Sequence, residues 1–348
     1  MSTKPERIAE LDVLRGFAAV GVMLFHYTIR WFEQPGPAVN PLGEFAVHLF
    51  FMISGFVIFM TLKNTRTGAD FIVSRASRLY PPYWAAVLIT ACFMVAMPPF
   101  EKSMVTLPQV LVNLTMLQQW FRVREVDGVY WTLAVELAFY GWMFVIFKLR
   151  SLERIEKFAL VWMLVELAAR IAERAIVINR VSALDPNYIP QVTNPGIIPK
   201  VVSTTFLLEY AHLFFAGILF YRIRESGTTV KRAAFLCVCL FTHWFVHGSY
   251  ALTFFALFCG IFYLLATRRL AWIAFRPLVF LGGISYSLYL VHQNIGYAVM
   301  RKMPDQVQGV QVAAAVGVSM TIAILLSYLI EKPSLRYLRR KWAAHTMK

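Results

Sequence analysis

Long apolar runs limit what this chain can fold into. They recur at 11–30, 42–62, 80–97, 129–148, 157–178, 201–221, 233–248, 250–266, 276–298 and 310–330. A run of about 20 apolar residues crosses about 30 Å of hydrocarbon as a helix. Only 15% of the 348 residues are charged and 59% are hydrophobic, whereas a soluble domain carries about 25% charged residues. Mean hydropathy is +0.59. The expected fold class is an all-α polytopic membrane protein, a bundle of about ten transmembrane helices. A further stretch at 107–120 has helical apolar spacing but carries Gln and Asn. It is expected at the outer surface or partway into the membrane.

The net charge of +15 would suggest a nucleic-acid partner in a soluble protein. Here the basic residues are sorted by side. Lys63, Arg66, Arg75 and Arg78 form one cluster, and Lys148, Arg150, Arg154 and Lys157 another. Arg222, Arg224, Lys231 and Arg232 follow, then Arg268, Arg269 and Arg276, then the segment from Lys332 onward. Such an excess marks cytoplasmic connections, so both termini are expected to be cytoplasmic and no nucleic acid is implied. The N-terminus carries charges of both signs and no cleavage site, which reads as an internal first span. The four cysteines lie in apolar segments and read as packing residues, with no disulfide and no metal site.

Two ionisable residues occupy the first run, LDVLRGFAAVGVMLFHYT. Arg15 and His26 are eleven residues apart, about three turns, so they share a helix face about 16 Å apart along the axis. Ionisable groups at membrane depth are rare and mark function by default.

That segment resembles the opening motif of the acyltransferase-3 family of membrane acyltransferases. LFFMISGFVI (49–58), SRASRLYPPYW (74–84), WTLAVELAFY (131–140), ISYSLYLVH (284–292) and IEKPSLRYLRR (330–340) resemble further family motifs, in order along nearly the whole chain. The resemblance implies transfer of an acyl group, often acetyl, from cytoplasmic acyl-CoA to hydroxyls of sugars or other acceptors. It implies a transmembrane domain at 1–340, a short basic cytoplasmic tail at 341–348, and location in the bacterial inner membrane. Some relatives carry an extra hydrolase-like domain, which this sequence does not show, so a separate acceptor-handling protein is a possible partner. His48 stands where many relatives would be expected to have an acidic or small residue.

On this reading acyl-CoA is a co-substrate and no cofactor is permanently bound. His26 is the expected catalytic base, since a neutral imidazole can take a proton from a hydroxyl. Glu136 is expected at similar depth, as the carboxylate that orients His26. Arg15, Arg75, Arg78 and Arg336 are expected to hold the donor's phosphates, which guanidinium groups bind in a bidentate way. Pro81 and Pro82 should mark the turn into the third span. Ser54, Tyr286 and His292 are candidates for acceptor contact or positioning. Glu331 is expected to pair with a neighbouring arginine, and Glu166 with Arg170 four residues on. The Pro- and Asn-rich segment 179–200 is a candidate acceptor-selecting loop, with a carbohydrate or glycosylated acceptor expected. The competing class is a proton-coupled secondary transporter with an intramembrane His/Glu/Arg relay.

Overall fold

A computed structural model describes residues 8–31, 41–100, 104–184 and 198–346, without side chains at 29, 30, 41, 42 and 180–184. Most of the 179–200 loop lies outside the described residues. The described residues contain helices and no strands. The helices are α1 (Ala9–Phe25), α2 (Pro41–Lys63), α3 (Gly68–Ala96), α4 (Leu107–Leu114), α5 (Trp131–Lys148) and α6 (Ile155–Leu184). They continue with α7 (Lys200–Thr205), α8 (Ala211–Ser226), α9 (Val230–Ala266), α10 (Arg276–Arg301), α11 (Gln308–Leu326) and α12 (Lys332–Thr346). Among the described residues, five helical stretches are long and apolar enough to cross a membrane: 43–63, 68–96, 128–148, 230–266 and 308–346. The chain is an all-α membrane protein.

The chain divides into two compact units. The first comprises Met1–Val47, Thr65–Ala134 and Ile273–Lys348; the second comprises His48–Asn64 and Val135–Trp272.

In the first unit α1 packs along α10. Gly16 meets Gly282 at one end, and a Cβ on Gly282 would overlap the Asp12 carbonyl. At the other end the Tyr27 hydroxyl reaches the His292 carbonyl at 2.5 Å. The two helices therefore run parallel, with backbones close enough that only glycine fits at the crossing. Each of two π-turns sets a side chain against α10. His26–Arg30 extends α1, and Ser327–Glu331 joins α11 to α12. In the second turn the Ser287 hydroxyl donates to Glu331 at 2.6 Å, and Ser327 donates to the Gly283 carbonyl. No ion pair to Glu331 is present among the described residues, so the arginine expected there is replaced by a serine.

Pro81 and Pro82 lie inside α3 rather than at its start. The helix begins more than three turns earlier, at a capping box made by Thr67 and Asp70. Prolines inside a helix remove the amides that would bond the Ser77 and Arg78 carbonyls, which spanning helices tolerate when neighbours compensate. The amphipathic stretch becomes the short α4 and a series of turns. Tyr80, Tyr83 and Trp84 of α3 donate to its carbonyls at Thr115, Asn113 and Leu114.

In the second unit the expected 201–221 helix is broken. Leu207 takes a positive φ of 54° between α7 and α8. The freed carbonyls are capped by side chains: Trp142 on Thr205, Trp162 on Phe206 and Arg170 on Leu208. The apolar runs 233–248 and 250–266 form one helical stretch, α9, interrupted at Gly248 with φ 86°. The rings of His243 and Phe255 stand 4.5 Å apart across that break. Twelve residues of continuous helix would separate them by about 18 Å, so the chain doubles back there as the two runs require.

Gly282→Val is expected to lower thermal stability by about 1–3 kcal/mol through overpacking against α1. Thermal unfolding of the detergent-purified protein would measure it. An unchanged melting temperature would show that the crossing can relax.

Candidate functional site

The π-turn places His26 and Tyr27 where α1 meets the far half of α10. Nδ1 of His26 lies 3.0 Å from the Tyr297 hydroxyl. The His26 and His292 ring centroids are 5.3 Å apart. Trp31 stacks obliquely on Tyr297 at 5.2 Å, and Phe100 closes on the same ring at 6.1 Å. His26 is half-buried, whereas Tyr27 and His292 are fully buried. Single-turn π segments recur at functional sites, and this one ends the helix that carries Arg15.

His292 has a defined tautomer. Its Nδ1 faces the Tyr289 carbonyl at 2.9 Å and the Leu288 carbonyl at 3.3 Å. Carbonyls only accept, so the proton sits on Nδ1 and Nε2 holds the lone pair. Nε2 is buried and has no hydrogen-bond partner among the described residues. The Tyr27 hydroxyl, bonded to the His292 carbonyl, also contacts Ser319 Oγ of α11 at 2.7 Å.

Asp127 fixes this part of α10 from the loop before α5. Its carboxylate accepts from the Val129 amide at 3.2 Å and the Asn294 amide at 3.0 Å. The Asn294 side chain donates back to the Val126 carbonyl at 2.8 Å. Tyr130 donates to the Leu290 carbonyl at 3.2 Å. In a regular helix the Leu290 carbonyl and the Asn294 amide serve each other; here each also has an outside partner, two residues from His292. Asp127 lies outside the spanning helices, and burial pushes its carboxyl up to about 7 against two amide bonds that favour the anion.

The expected donor-binding residues all belong to the first unit. The Leu79 carbonyl accepts from Tyr286 of α10 at 3.0 Å, so Arg78 stands near the end of α10 that meets Gly16, the residue after Arg15. Arg75 and Arg78 are half-buried on α3, and Arg15 is half-buried on α1. Arg336 is exposed on α12, which packs on α3 and is tied to it by Trp342 donating to Asp70 at 2.8 Å. Residues 341–346, expected as tail, continue α12. The first unit thus carries arginines at one end of the α1–α10 pair and imidazoles at the other. Tyr286 serves as a tether between helices.

Ser54 and Glu136 meet in the second unit. The Ser54 hydroxyl donates to Glu136 at 2.6 Å, and Tyr140 donates to the same oxygen at 2.5 Å. His26 Nδ1 has Tyr297 as its partner. Among the described residues Glu166 and Arg170 have other ion-pair partners than each other. Arg170 is almost wholly buried and binds Glu173 at 2.5 Å and Glu209 at 3.1 Å. Glu166 instead faces His212 Nδ1 at 2.8 Å. A buried guanidinium has five donors to satisfy and takes the partners that tertiary packing supplies.

Tyr297, Tyr27 and Asp127 escape the sequence reading. Tyr297 stands five residues past His292, beyond the motif. Asp127, followed by Gly128 ahead of an apolar run, carries a visible helix-entry signal.

Residues 8–331 match the acyltransferase-3 family, described as an acyltransferase domain. The chain belongs to that family. It is similar to the acyltransferase MdmB of Streptomyces mycarofaciens, with 28% identity over 156 residues, 40% of this chain and 39% of that protein. Nodulation protein 10 of Rhizobium leguminosarum bv. viciae is 29% identical over 153 residues, 37% of this chain and 41% of that protein. Protein 2 in the picA locus of Rhizobium radiobacter is 35% identical over 98 residues, 27% of this chain and 49% of that protein. Each match thus spans less than half of the relative's length. No solved structure gives a significant match.

The Asp127 geometry has a pH signature. Above the ordinary carboxylate range the unfolded chain releases a proton that the folded chain keeps. Stability is therefore expected to fall as pH rises from about 4 towards about 7, and to level off above. Asp127→Asn should flatten that slope in melting temperatures of the purified protein. An identical slope in the variant would mean that Asp127 is ionised throughout.

Proposed function

We propose that this protein is a membrane O-acyltransferase that moves an acyl group, by preference acetyl, from acyl-CoA to a hydroxyl of a sugar or glycan. One observation carries the reading. The histidine of the family's first motif is held on a π-turn by a tyrosine hydroxyl, beside a second imidazole of fixed tautomer. The chain would cross the membrane ten times, with both termini and the arginine clusters on the cytoplasmic side, in the bacterial inner membrane.

The donor enters from the cytoplasm, with its phosphates on Arg15, Arg75 and Arg78 and Arg336 at the rim. The acyl thioester extends along α1 towards His26. With Nδ1–H donating to the Tyr297 oxygen, the imidazole in its neutral form carries its lone pair on Nε2 and serves as the base through that atom. His26 takes the proton of the acceptor hydroxyl, whose oxygen attacks the acyl carbonyl. The C–S bond breaks, and the CoA thiolate leaves and is protonated. His292 Nε2 accepts a hydrogen bond from the acceptor and positions it. The alternative, attack by His26 itself to form an acyl-imidazole, uses the same geometry. A secondary transporter is the competing class, but a proton relay needs no arginine set of this kind.

Release of free thiol from acetyl-CoA by the purified protein, across a panel of sugars and glycans, tests the activity. Lack of thiol release, together with pH-driven solute uptake in vesicles, would assign the fold to transport. His26→Ala is expected to lower turnover by about 10²–10⁴-fold while CoA binding persists. Lost donor binding in a folded variant would remove the base assignment. Tyr297→Phe should lower turnover by about fivefold, the value of one hydrogen bond of about 1 kcal/mol. Arg15→Ala and Arg78→Ala should each weaken CoA binding by about tenfold or more, as loss of a charge-assisted bond of about 1.5–3 kcal/mol requires. Calorimetric titration with CoA measures this, and affinities equal to the parent's would sink the phosphate assignment.

A further inference from the structure

Four of the seven histidines stand together in the second unit, away from the His26 geometry. His212 comes from the start of α8, His243 and His247 from α9 just before the Gly248 break, and His48 from α2. One ring nitrogen from each of His212, His243 and His247 lies within 4.8 Å of the other two. His243 and His247 sit one turn apart on one face, with ring centroids at 4.8 Å. The His48 ring borders both, at 5.1 and 5.0 Å.

The outer nitrogens are held in the way that metal-binding imidazoles are held. Nδ1 of His212 faces the Glu166 carboxylate at 2.8 Å, and Nε2 of His247 faces the Glu209 carbonyl at 3.0 Å. A carboxylate or a carbonyl on the far nitrogen fixes the tautomer and aims the other lone pair inward. For His212 the inward atom is Nε2, 2.8 Å from Nδ1 of His243. If His243 donates in that contact, its Nε2 keeps a bare lone pair. That atom is buried and has no hydrogen-bond partner among the described residues. Two neutral imidazoles thus cannot satisfy one another fully, whereas a cation takes lone pairs from both.

Charge points the same way. Glu166 is fully buried, and among the described residues its carboxylate meets the His212 ring and the His212 amide but no arginine or lysine. The nearby Arg170 is committed to Glu173 and Glu209. A buried carboxylate without an arginine or lysine partner is costly, and a dication one ring away offsets it. Imidazole donors suit zinc, copper and nickel rather than magnesium or calcium.

We propose that His212, His243 and His247 bind one divalent transition-metal ion of the zinc class, with Glu166 orienting His212 and His48 beside the remaining coordination position. The site is separate from the acyl-transfer reading and stands or falls independently of it. Zinc–nitrogen bonds of about 2.0–2.1 Å in a tetrahedral set hold the ligand nitrogens about 3.3 Å apart, so the 2.8 Å His212–His243 contact opens and nitrogens standing up to 4.8 Å apart close in, which side-chain rotation supplies.

The test uses the full chain, purified in detergent without a polyhistidine tag and stripped with a chelator. It is reloaded with Zn(II) or Co(II), desalted, and assayed by elemental mass spectrometry and, for cobalt, visible absorption. One equivalent per chain with a tetrahedral cobalt spectrum is expected. His243→Gln combined with His247→Gln should lose the metal. Glu166→Gln should keep the fold and weaken binding by about 10–100-fold. Failure of the parent to retain zinc or cobalt, or equal retention by a folded double variant, would overturn the proposal. Because the parent's stoichiometry and spectrum are decisive alone, misfolding of the double variant leaves the test intact.

Discussion

The close parallel crossing of α1 and α10 underlies the rest of the first unit. In hydrocarbon there is no water to expel from between helices, so association rests on packing and on interhelical hydrogen bonds. Gly16 against Gly282 lets two backbones come together where any Cβ would hold them apart. Ten residues further along, that proximity places the His26 ring between Tyr297 and His292. A wider crossing would leave the Tyr27 hydroxyl short of the His292 carbonyl and of Ser319. One steric condition thus sets both the helix pair and the imidazole pair.

The two compact units hold their polar residues differently. In the first unit the polar groups near His26 bond mainly to backbone: Asp127 to amides, Tyr130 and Tyr27 to carbonyls. Such bonds fix helix geometry and leave imidazole nitrogens for chemistry. In the second unit the polar residues bond to one another. Arg170 ties Glu173, Glu209 and Ser203, while Glu166 ties His212 and, through it, His243. A network of that kind rigidifies a core only when every member is satisfied.

The apolar runs made the helices legible, because a spanning helix announces itself by length and composition. The helix that carries Arg15 was legible too, and α1 is regular from Ala9 to Phe25. Other features depend on contacts between distant segments. Pro81 and Pro82 suggested a helix start, but the Thr67–Asp70 cap already provides one. The spacing rule that joined Glu166 to Arg170 describes exposed helix faces, where competitors are water; here the competitors are Glu209 and His212. A π-turn has no periodic signature, so the His26–Arg30 turn was invisible. His243 and His247 did carry a signal, two histidines at i, i+4, a spacing that places two metal ligands on one helix face. Only the fold brings His48 and His212 to them.

The break at Gly248 also bears on how the chain is threaded. A continuous 37-residue α9 would be about 55 Å long, far more than the hydrocarbon of a bilayer. The left-handed glycine turns that excess into a return path. The course of the second half of α9 then rests on a residue without a side chain. A substitution that straightened the helix would carry Phe255 about 18 Å along the axis from His243, where the break now holds the two rings 4.5 Å apart.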